Sequence, residues 1–214
     1  GMANGRVIIK LQVASDRVPM ELAMETVKNI TSEANIIEIG TSLTKEFGMR
    51  ALLPVIEAAE GVAVLGDIKT CDEGKYEFDL GYRCGFSYLT VMGSASMGTL
   101  EACARPAAEH DSLMLIDLLE CDEMRIERIS GFTDAIYCLH TSTEQCYTVD
   151  PVAQVRAFKT RFPQIQHLAI AGGIKKHHLA AWSQENIDIV IMGSAITKAD
   201  DIAMACRACR KEMK

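Results

Sequence analysis

The sequence has no excess of positive charge and no long apolar run. Its 22 Lys and Arg residues are outnumbered by 29 Asp and Glu residues, which gives a formal net charge of −7 at pH 7. This balance argues against a general nucleic-acid-binding protein. The longest uncharged run, residues 84–100, is interrupted by glycines and serines. Since a transmembrane helix needs about 20 predominantly apolar residues, we expect no membrane-spanning segment and no membrane partner.

No segment of the sequence resembles a signal peptide, and we find no second cysteine pair and neither the Gly-rich nor the P-loop motif of nucleotide-binding folds. The first apolar segment is short and is interrupted by Lys10, so we expect a cytoplasmic protein. The eight cysteines are scattered, and we expect reduced thiols. Cys206 and Cys209 have CxxC spacing, but without further ligands we interpret them as packing residues of a C-terminal helix rather than a zinc site.

The overall composition is that of one globular domain. The sequence is 49% hydrophobic and 24% charged, which is typical of globular proteins. A chain of 214 residues is long enough to bury a core without disulfides or metals. No linker or change of composition interrupts residues 2–214, so we expect them to form a single domain. We interpret Gly1, which precedes Met2, as an expression scar.

Short β-rich apolar runs alternate with longer amphipathic stretches along the whole chain. Eight such alternations predict parallel βα units. An open doubly wound sheet could be built from them, but a single α/β domain of the (β/α)8 TIM-barrel type, which occupies about 200 residues at its smallest, fits the length better. The predicted strands are 7–14, 35–40, 61–68, 87–92, 112–118, 133–139, 167–171 and 187–192, and the predicted helices begin near 18, 45, 73, 96, 121, 151, 175 and 197.

Charged or polar side chains stand at the same end of most of the predicted strands. In a parallel barrel these strand ends converge at one mouth, where the βα loops build active sites. We therefore expect the following side chains to lie together: Asp16, Glu38, Asp67, Lys69, Asp117 and His140.

The densest chemical segment is 64–74, which contains Asp67, Lys69 and Asp72. Asp67 and Lys69 are two residues apart, so a strand presents both on one face. Carboxylates alternating with an ammonium group can hold a cation beside an anionic intermediate, whereas the alternative is an ordinary ion pair at a strand end. Asp72 could project toward the same site or toward a neighbouring subunit.

Two more carboxylates have a functional and a structural interpretation each. Glu38 lies among residues expected to be buried, where an unpaired carboxylate is costly. With Asp67 it could supply two oxygen ligands to Mg²⁺, or it could be bonded to backbone amides. Asp16 could line the mouth or cap the helix that begins near Val18.

The fifth and sixth predicted strands end in groups that could act on a substrate. Asp117 could support Lys69 or line the pocket. His140 shares a face with Ile136 and Cys138, so its imidazole points into the mouth, where it can exchange a proton near neutral pH.

Glycines follow the last two predicted strands. Gly172-Gly173 and Gly193-Ser194 could let backbone amides approach an anion, and this position often binds phosphate in barrels. Simple turns are the alternative. We favour a substrate phosphate at Gly172, Gly173, Gly193 and Ser194.

Together these residues resemble the orotidine-monophosphate decarboxylase superfamily, a group of phosphate-binding barrels with an Asp-x-Lys-x-x-Asp motif after the third strand. Here the motif is Asp67-Ile-Lys69-Thr-Cys-Asp72. The resemblance extends over essentially the whole chain, through Leu11-Gln-Val-Ala-Ser-Asp16, Ile37-Glu38-Ile-Gly-Thr41, His140-Thr141, Ala171-Gly-Gly-Ile174 and Ile189-Val-Ile-Met-Gly-Ser194.

The segment Glu38-Ile-Gly-Thr41 is similar to the sugar-phosphate branch of that superfamily, which includes the 3-hexulose-6-phosphate synthases and the 3-keto-L-gulonate-6-phosphate decarboxylases. The resemblance implies a Mg²⁺-dependent carbon–carbon lyase that acts on a sugar phosphate through an enediolate. By the same resemblance, Glu38 and Asp67 would bind Mg²⁺, Lys69 would support the anionic oxygen and His140 would shuttle a proton.

The resemblance also implies an assembly. Asp16 would join the polar network of its own mouth, and Asp72 would cross a homodimer interface to complete the active site of the partner subunit.

Fewer residues distinguish the activities within the branch. Asp117 and the His140-Thr141 pair resemble the synthases, which favours condensation of ribulose 5-phosphate with formaldehyde; decarboxylation of a 3-keto sugar-acid phosphate is the alternative. Thr143 and Ser194 stand where the decarboxylases typically have arginine, while Ser142 replaces a glycine usual in synthases. The altered loop 142–147 also allows a third hypothesis, a non-catalytic phosphosugar-binding regulatory barrel.

Overall fold

A closed barrel of eight parallel strands forms the centre of the molecule. The computed structural model describes residues 2–3, 6–7, 9–141 and 150–214. Each strand pairs with the next along the chain, and the last pairs with the first, which confirms the (β/α)8 barrel and excludes an open sheet. After a short antiparallel pair, β1 (Met2–Ala3) and β2 (Arg6–Val7), the barrel strands are β3 (Lys10–Ser15), β4 (Ile36–Ile39), β5 (Ala63–Thr70), β6 (Tyr88–Met92), β7 (Leu113–Asp117), β8 (Ile136–His140), β9 (Leu168–Ala171) and β10 (Ile189–Met192).

Helices follow every barrel strand, as the alternating pattern predicts. The connections after β4 and after β10 each contain one more α-helix than expected. Gly48, with a φ of +82°, ends α2, and the chain resumes in a 3-10 turn over Arg50–Leu52. The helices are α1 (Met20–Ile30), α2 (Thr41–Phe47), α3 (Leu53–Ala58), α4 (Gly74–Arg83), α5 (Met97–Glu109), α6 (Glu123–Ile129), α7 (Pro151–Arg161), α8 (Lys176–Trp182), α9 (Ser194–Thr197) and α10 (Ile202–Glu212).

The apolar core has two parts, because alternate side chains of a strand point to opposite faces. The larger part lies between the strands and the helices. The smaller part fills the barrel and consists of Ile36, Leu65, Tyr88, Leu115, Ile136, Cys138, Ala169 and Ile189.

The polar site begins immediately above this interior layer. In each of five successive strands, β4 to β8, the residue two positions after the last interior residue is polar and points to the same face. These residues are Glu38, Asp67, Thr90, Asp117 and His140.

The C-terminal cysteine pair belongs to the packed shell. Cys206 and Cys209 are buried on α10, in agreement with their interpretation as packing residues. The seven cysteines within the described part of the chain are all free thiols. Among the helices described, none combines the length and the apolar character that crossing a bilayer requires.

Candidate active site

Four charged or titratable side chains from three strands form a continuous chain of contacts at the mouth of the barrel. Lys69 Nζ lies 2.8 Å from Asp67 Oδ2 and 3.0 Å from Asp117 Oδ2. On the other side of Asp117, His140 Nδ1 lies 3.1 Å from Oδ2 and 3.2 Å from Oδ1. The Asp67–Lys69 pair is therefore part of a larger group, which we call the charged chain: Asp67, Lys69, Asp117 and His140.

The charge state of the charged chain follows from its contacts. Burial disfavours the Lys69 ammonium, but the neighbouring Asp67 and Asp117 carboxylates outweigh it and raise the pKa of Lys69 above its ordinary value. Burial likewise works against ionised Asp117, yet His140 and Lys69 lower its pKa to about 2. Lys69 is thus a cation and Asp117 an anion at neutral pH.

The hydrogen bond to Asp117 orients the His140 ring. Because the Asp117 carboxylate only accepts hydrogen bonds, Nδ1 must donate its hydrogen to it. In a neutral imidazole this leaves a lone pair on Nε2, the nitrogen that can take a proton from a substrate. The geometry thus gives His140 the orientation and tautomer of a general base.

Glu38 lies beside the charged chain and is almost fully buried. Gln12 Nε2 donates a hydrogen bond to Glu38 Oε1 at 2.6 Å. Burial and the nearby Asp67 carboxylate nevertheless raise the pKa of Glu38 to about 8. Buried Glu38 and partly buried Asp67 therefore form an acidic pair that positive charge would stabilise.

This acidic pair fits Mg²⁺. Magnesium prefers carboxylate oxygens and is commonly held by one or two of them, with water and substrate completing its ligands. Glu38 and Asp67 supply that donor chemistry, and the unfavourable burial of Glu38 gives a physical reason for a cation there. Within the described ranges, no three His, Cys, Asp or Glu side chains are grouped so that they could hold a metal ion. Two carboxylates alone would leave positions for water and substrate.

Asp16 anchors the start of a helix at the mouth. Its Oδ1 accepts hydrogen bonds from the backbone amides of Leu43, at 2.9 Å, and Arg17, at 3.0 Å. The alternative that Asp16 caps the helix beginning near Val18 is wrong, because the helix that it caps is α2, on the neighbouring βα unit. Gly40 permits this contact, since a Cβ there would lie 2.3 Å from Asp16 Cγ.

The structure does not bring Asp72 to the charged chain of its own subunit. Its Oδ1 accepts a hydrogen bond from the Glu73 amide at 2.9 Å, and its side chain is exposed. Nearby on α4, Tyr76 is 69% exposed. That Asp72 serves a partner subunit stays a prediction.

The predicted phosphate site is formed by two adjacent strand ends, since β9 pairs with β10. Gly172 and Gly173 have φ angles of +100° and +67°, which glycine adopts without strain. A Cβ on Gly172 would lie 2.3 Å from the carbonyl oxygen of Thr141, so the backbone is packed too closely there for any other residue. Gly193 precedes α9, whose first residue is Ser194.

Two buried polar residues at this mouth were not predicted from the sequence. Gln12 contacts Glu38, and Thr90 contacts both Asp67 and Lys69. Both are buried polar residues at inward-facing strand positions. A glutamine between Leu11 and Val13 is a signal that could have identified Gln12, whereas threonine is common in strands and gives no such signal for Thr90. The altered loop 142–147, the basis of the regulatory hypothesis, lies outside the described residues.

The chain is similar to proteins of one family over nearly its whole length. Residues 9–209 match the family described as orotidine 5'-phosphate decarboxylase / HUMPS. A 3-hexulose-6-phosphate synthase of Bacillus subtilis (strain 168) is 30% identical over 198 residues, which cover 91% of this chain and 94% of the relative.

Solved structures show the same barrel. The 3-hexulose-6-phosphate synthase from Salmonella typhimurium has a TM-score of 0.88 and 28% identity, covering 96% of this chain and 98% of its own. The 3-keto-L-gulonate-6-phosphate decarboxylase from Vibrio cholerae O1 has a TM-score of 0.83, covering 97% of this chain and 98% of its own, but at 22% identity it supports the fold alone. With a family match over nearly its whole length, the chain belongs to the orotidine 5'-phosphate decarboxylase / HUMPS family.

Proposed function

We propose that the protein is a 3-hexulose-6-phosphate synthase, a Mg²⁺-dependent lyase that condenses ribulose 5-phosphate with formaldehyde and catalyses the reverse cleavage. The observation that carries the proposal is the charged chain at the barrel mouth, in which Asp117 links the cation Lys69 to the base His140. The full-length similarity to synthases supports this activity over the other members of the family.

In the proposed reaction, His140 moves the proton. Nε2 takes a proton from C1 of ribulose 5-phosphate, and the electron pair of that C–H bond forms the enediolate. C1 then attacks the carbon of formaldehyde, which makes the new C–C bond and turns the aldehyde oxygen into an alkoxide. The imidazolium returns its proton to that oxygen, so the base is regenerated at the end of the cycle.

Lys69 supports the negative charge that develops on the substrate. As a permanent cation held by two carboxylates, it offers a fixed donor at the place where the enediolate oxygen forms, and it needs little reorganisation during the reaction. Mg²⁺ held by Glu38 and Asp67 would supply further positive charge beside the substrate oxygens.

The remaining predicted residues would bind and enclose the substrate. We assign the phosphate to the backbone around Gly172, Gly173, Gly193 and Ser194, where glycine allows amides to approach an anion. Asp16, whose Oδ1 is taken by two amides, would present its other carboxylate oxygen to the polar network.

We further propose a homodimer with shared active sites. Asp72 is exposed and follows β5, the strand that carries Asp67 and Lys69. With Tyr76 exposed on the following helix, this edge of the mouth has the mixed polar and aromatic character of an interface. The seven cysteines of the described ranges are free, which fits a reducing compartment, and we propose a cytoplasmic location on that basis.

A comparison of two substrates tests the proposed activity. Purified protein with Mg²⁺ should consume formaldehyde and ribulose 5-phosphate together and form a hexulose 6-phosphate. With 3-keto-L-gulonate 6-phosphate it should release little carbon dioxide. Efficient, formaldehyde-independent release of carbon dioxide, with no condensation, would replace the synthase by the decarboxylase.

A further inference from the structure

Thr90 is a buried hydroxyl that contacts two members of the charged chain. It lies on β6, inside the barrel, and is 2% exposed. We propose that Thr90 is a positioning residue that sets the geometry of Asp67 and Lys69. Its consequence for turnover rests on the proposed function, whereas its consequence for geometry does not.

One oxygen atom makes both contacts. Thr90 Oγ1 donates a hydrogen bond to Asp67 Oδ1 at 2.8 Å and accepts one from the backbone amide of Lys69 at 2.9 Å. A hydroxyl has one hydrogen to donate and lone pairs to accept with, so it can do both at once. Thr90 thereby fixes the Asp67 side chain relative to the backbone from which the Lys69 side chain projects.

The backbone at this point needs such support. The β5–β6 ladder pairs Gly66 with Leu89 and next pairs Thr70 with Val91, so β5 contains extra residues that bulge out of register. Lys69 lies in this bulge with a φ of +47°, a left-handed conformation that costs energy for a residue with a side chain. Because the regular ladder does not extend through the bulge, the Lys69 amide is bound by Thr90.

The hydroxyl, rather than the bulk of the side chain, is what this position requires. Valine has nearly the same shape as threonine and forms strands equally well, so packing alone would accept either. A valine would leave the Lys69 amide and Asp67 Oδ1 without these hydrogen bonds. The bulge would then relax, and both charged groups would move relative to Asp117 and the substrate.

The test compares Thr90→Val, which keeps the shape, with Thr90→Ser, which keeps the hydroxyl. Thr90→Val should lower kcat about 100-fold, the scale of a misplacement of about 1 Å at the chemistry, with a much smaller change in KM. Thr90→Ser should retain most of the activity although it removes a buried methyl group. Thr26→Val, a buried threonine on α1 in the helical shell, is the control for loss of a hydroxyl elsewhere.

A crystal structure of Thr90→Val provides a readout that is independent of activity. We expect the φ of Lys69 to leave the left-handed region and the contact between Lys69 Nζ and Asp67 to lengthen. An unchanged bulge with parental kcat, or a Thr90→Ser protein as impaired as Thr90→Val, would overturn the proposal. If Thr90→Val does not fold, Thr90→Ser compared with Thr90→Ala makes the same distinction.

The two proposals can fail separately. The proposed function is wrong if the unsubstituted protein neither exchanges the C1 protons of ribulose 5-phosphate with solvent nor condenses this substrate with formaldehyde. In that case the crystal structures alone decide the role of Thr90. If the unsubstituted protein is active while Thr90→Val keeps the same bulge and the same kcat, only the positioning role is wrong.

Discussion

The charge state of Lys69 determines which residue at the mouth can act as the base. Two carboxylates within 3.0 Å of its ammonium raise its pKa above the ordinary value, so it keeps its proton throughout the reaction. Such a group can stabilise an anion but cannot act as a base. We therefore assign proton transfer to His140, whose Nδ1 is held by Asp117 and whose Nε2 carries the lone pair in the neutral ring.

His140→Ala should separate proton transfer from binding. Loss of a positioned general base typically lowers a rate by about 10²–10⁴-fold, and we expect kcat for condensation to fall within that range. Affinity for ribulose 5-phosphate, measured by calorimetry, should change little because His140 does not hold the phosphate. Near-normal turnover in the purified variant would remove His140 from the mechanism.

Asp67→Asn should act mainly through the metal. The substitution removes one of the two proposed anionic Mg²⁺ ligands, so turnover should be nearly abolished and the Mg²⁺ concentration needed for the residual activity should rise. Treatment of the unsubstituted protein with EDTA should abolish activity, and added Mg²⁺ should restore it. Full activity in EDTA would contradict a metal-dependent reaction.

At the scale of elements, the alternation of strands and helices is what made the fold predictable. Eight apolar runs correspond to the eight barrel strands, because each strand is buried on both faces and its composition shows it. The polar residues at the strand ends predicted the site at the mouth, because the ends of parallel barrel strands converge there. The helix that Asp16 caps was not predictable, because the contact runs through Leu43, 27 residues away, and a cap gives a sequence signal only when it is local.

Buried polar residues within strands show the same limit. Thr90 stands in Tyr88-Leu-Thr-Val-Met92, where threonine is an ordinary strand residue. Nothing in that segment shows that Asp67 and Lys69, more than 20 positions earlier, are its partners. The bulge that creates the need for Thr90 is equally invisible, because it depends on the register between two strands.

The turn after β9 should tolerate no side chain. Gly172→Ala places a Cβ 2.3 Å from the Thr141 carbonyl oxygen at a φ of +100°, so we expect a loss of about 1–3 kcal/mol in the free energy of unfolding. Gly131→Ala is the matched control, since a Cβ there meets no atom within 4 Å. Urea denaturation of both variants measures the difference, and equal stabilities would show that the turn is not constrained as described.

At the scale of the whole molecule, closure of the barrel creates the site. The site combines residues that are far apart in the chain: Glu38, Asp67, Asp117 and His140. They lie together because β4, β5, β7 and β8, the strands that carry them, are neighbours or next neighbours in one closed barrel. Asp72 lies at the edge of that ring with an exposed side chain. A second copy of the chain is the partner to which we assign it.

Mixing two inactive variants tests this assembly. An Asp72→Ala subunit and an Asp67→Asn subunit should each give an inactive homodimer. In their heterodimer, one mouth combines an intact Asp67 from one subunit with an intact Asp72 from the other, so activity should partly return. If subunit exchange is verified, for example by native mass spectrometry, and no activity returns, Asp72 does not act across the interface.

Exchange of the C1 protons of ribulose 5-phosphate with deuterated water tests the central claim most directly, because it reports enediolate formation before any C–C bond is made. Proton NMR with Mg²⁺ and without formaldehyde should show one of the two C1 protons exchanging stereospecifically, and His140→Ala should abolish the exchange. Binding of ribulose 5-phosphate by the unsubstituted protein with neither C1 proton exchanging would contradict the account.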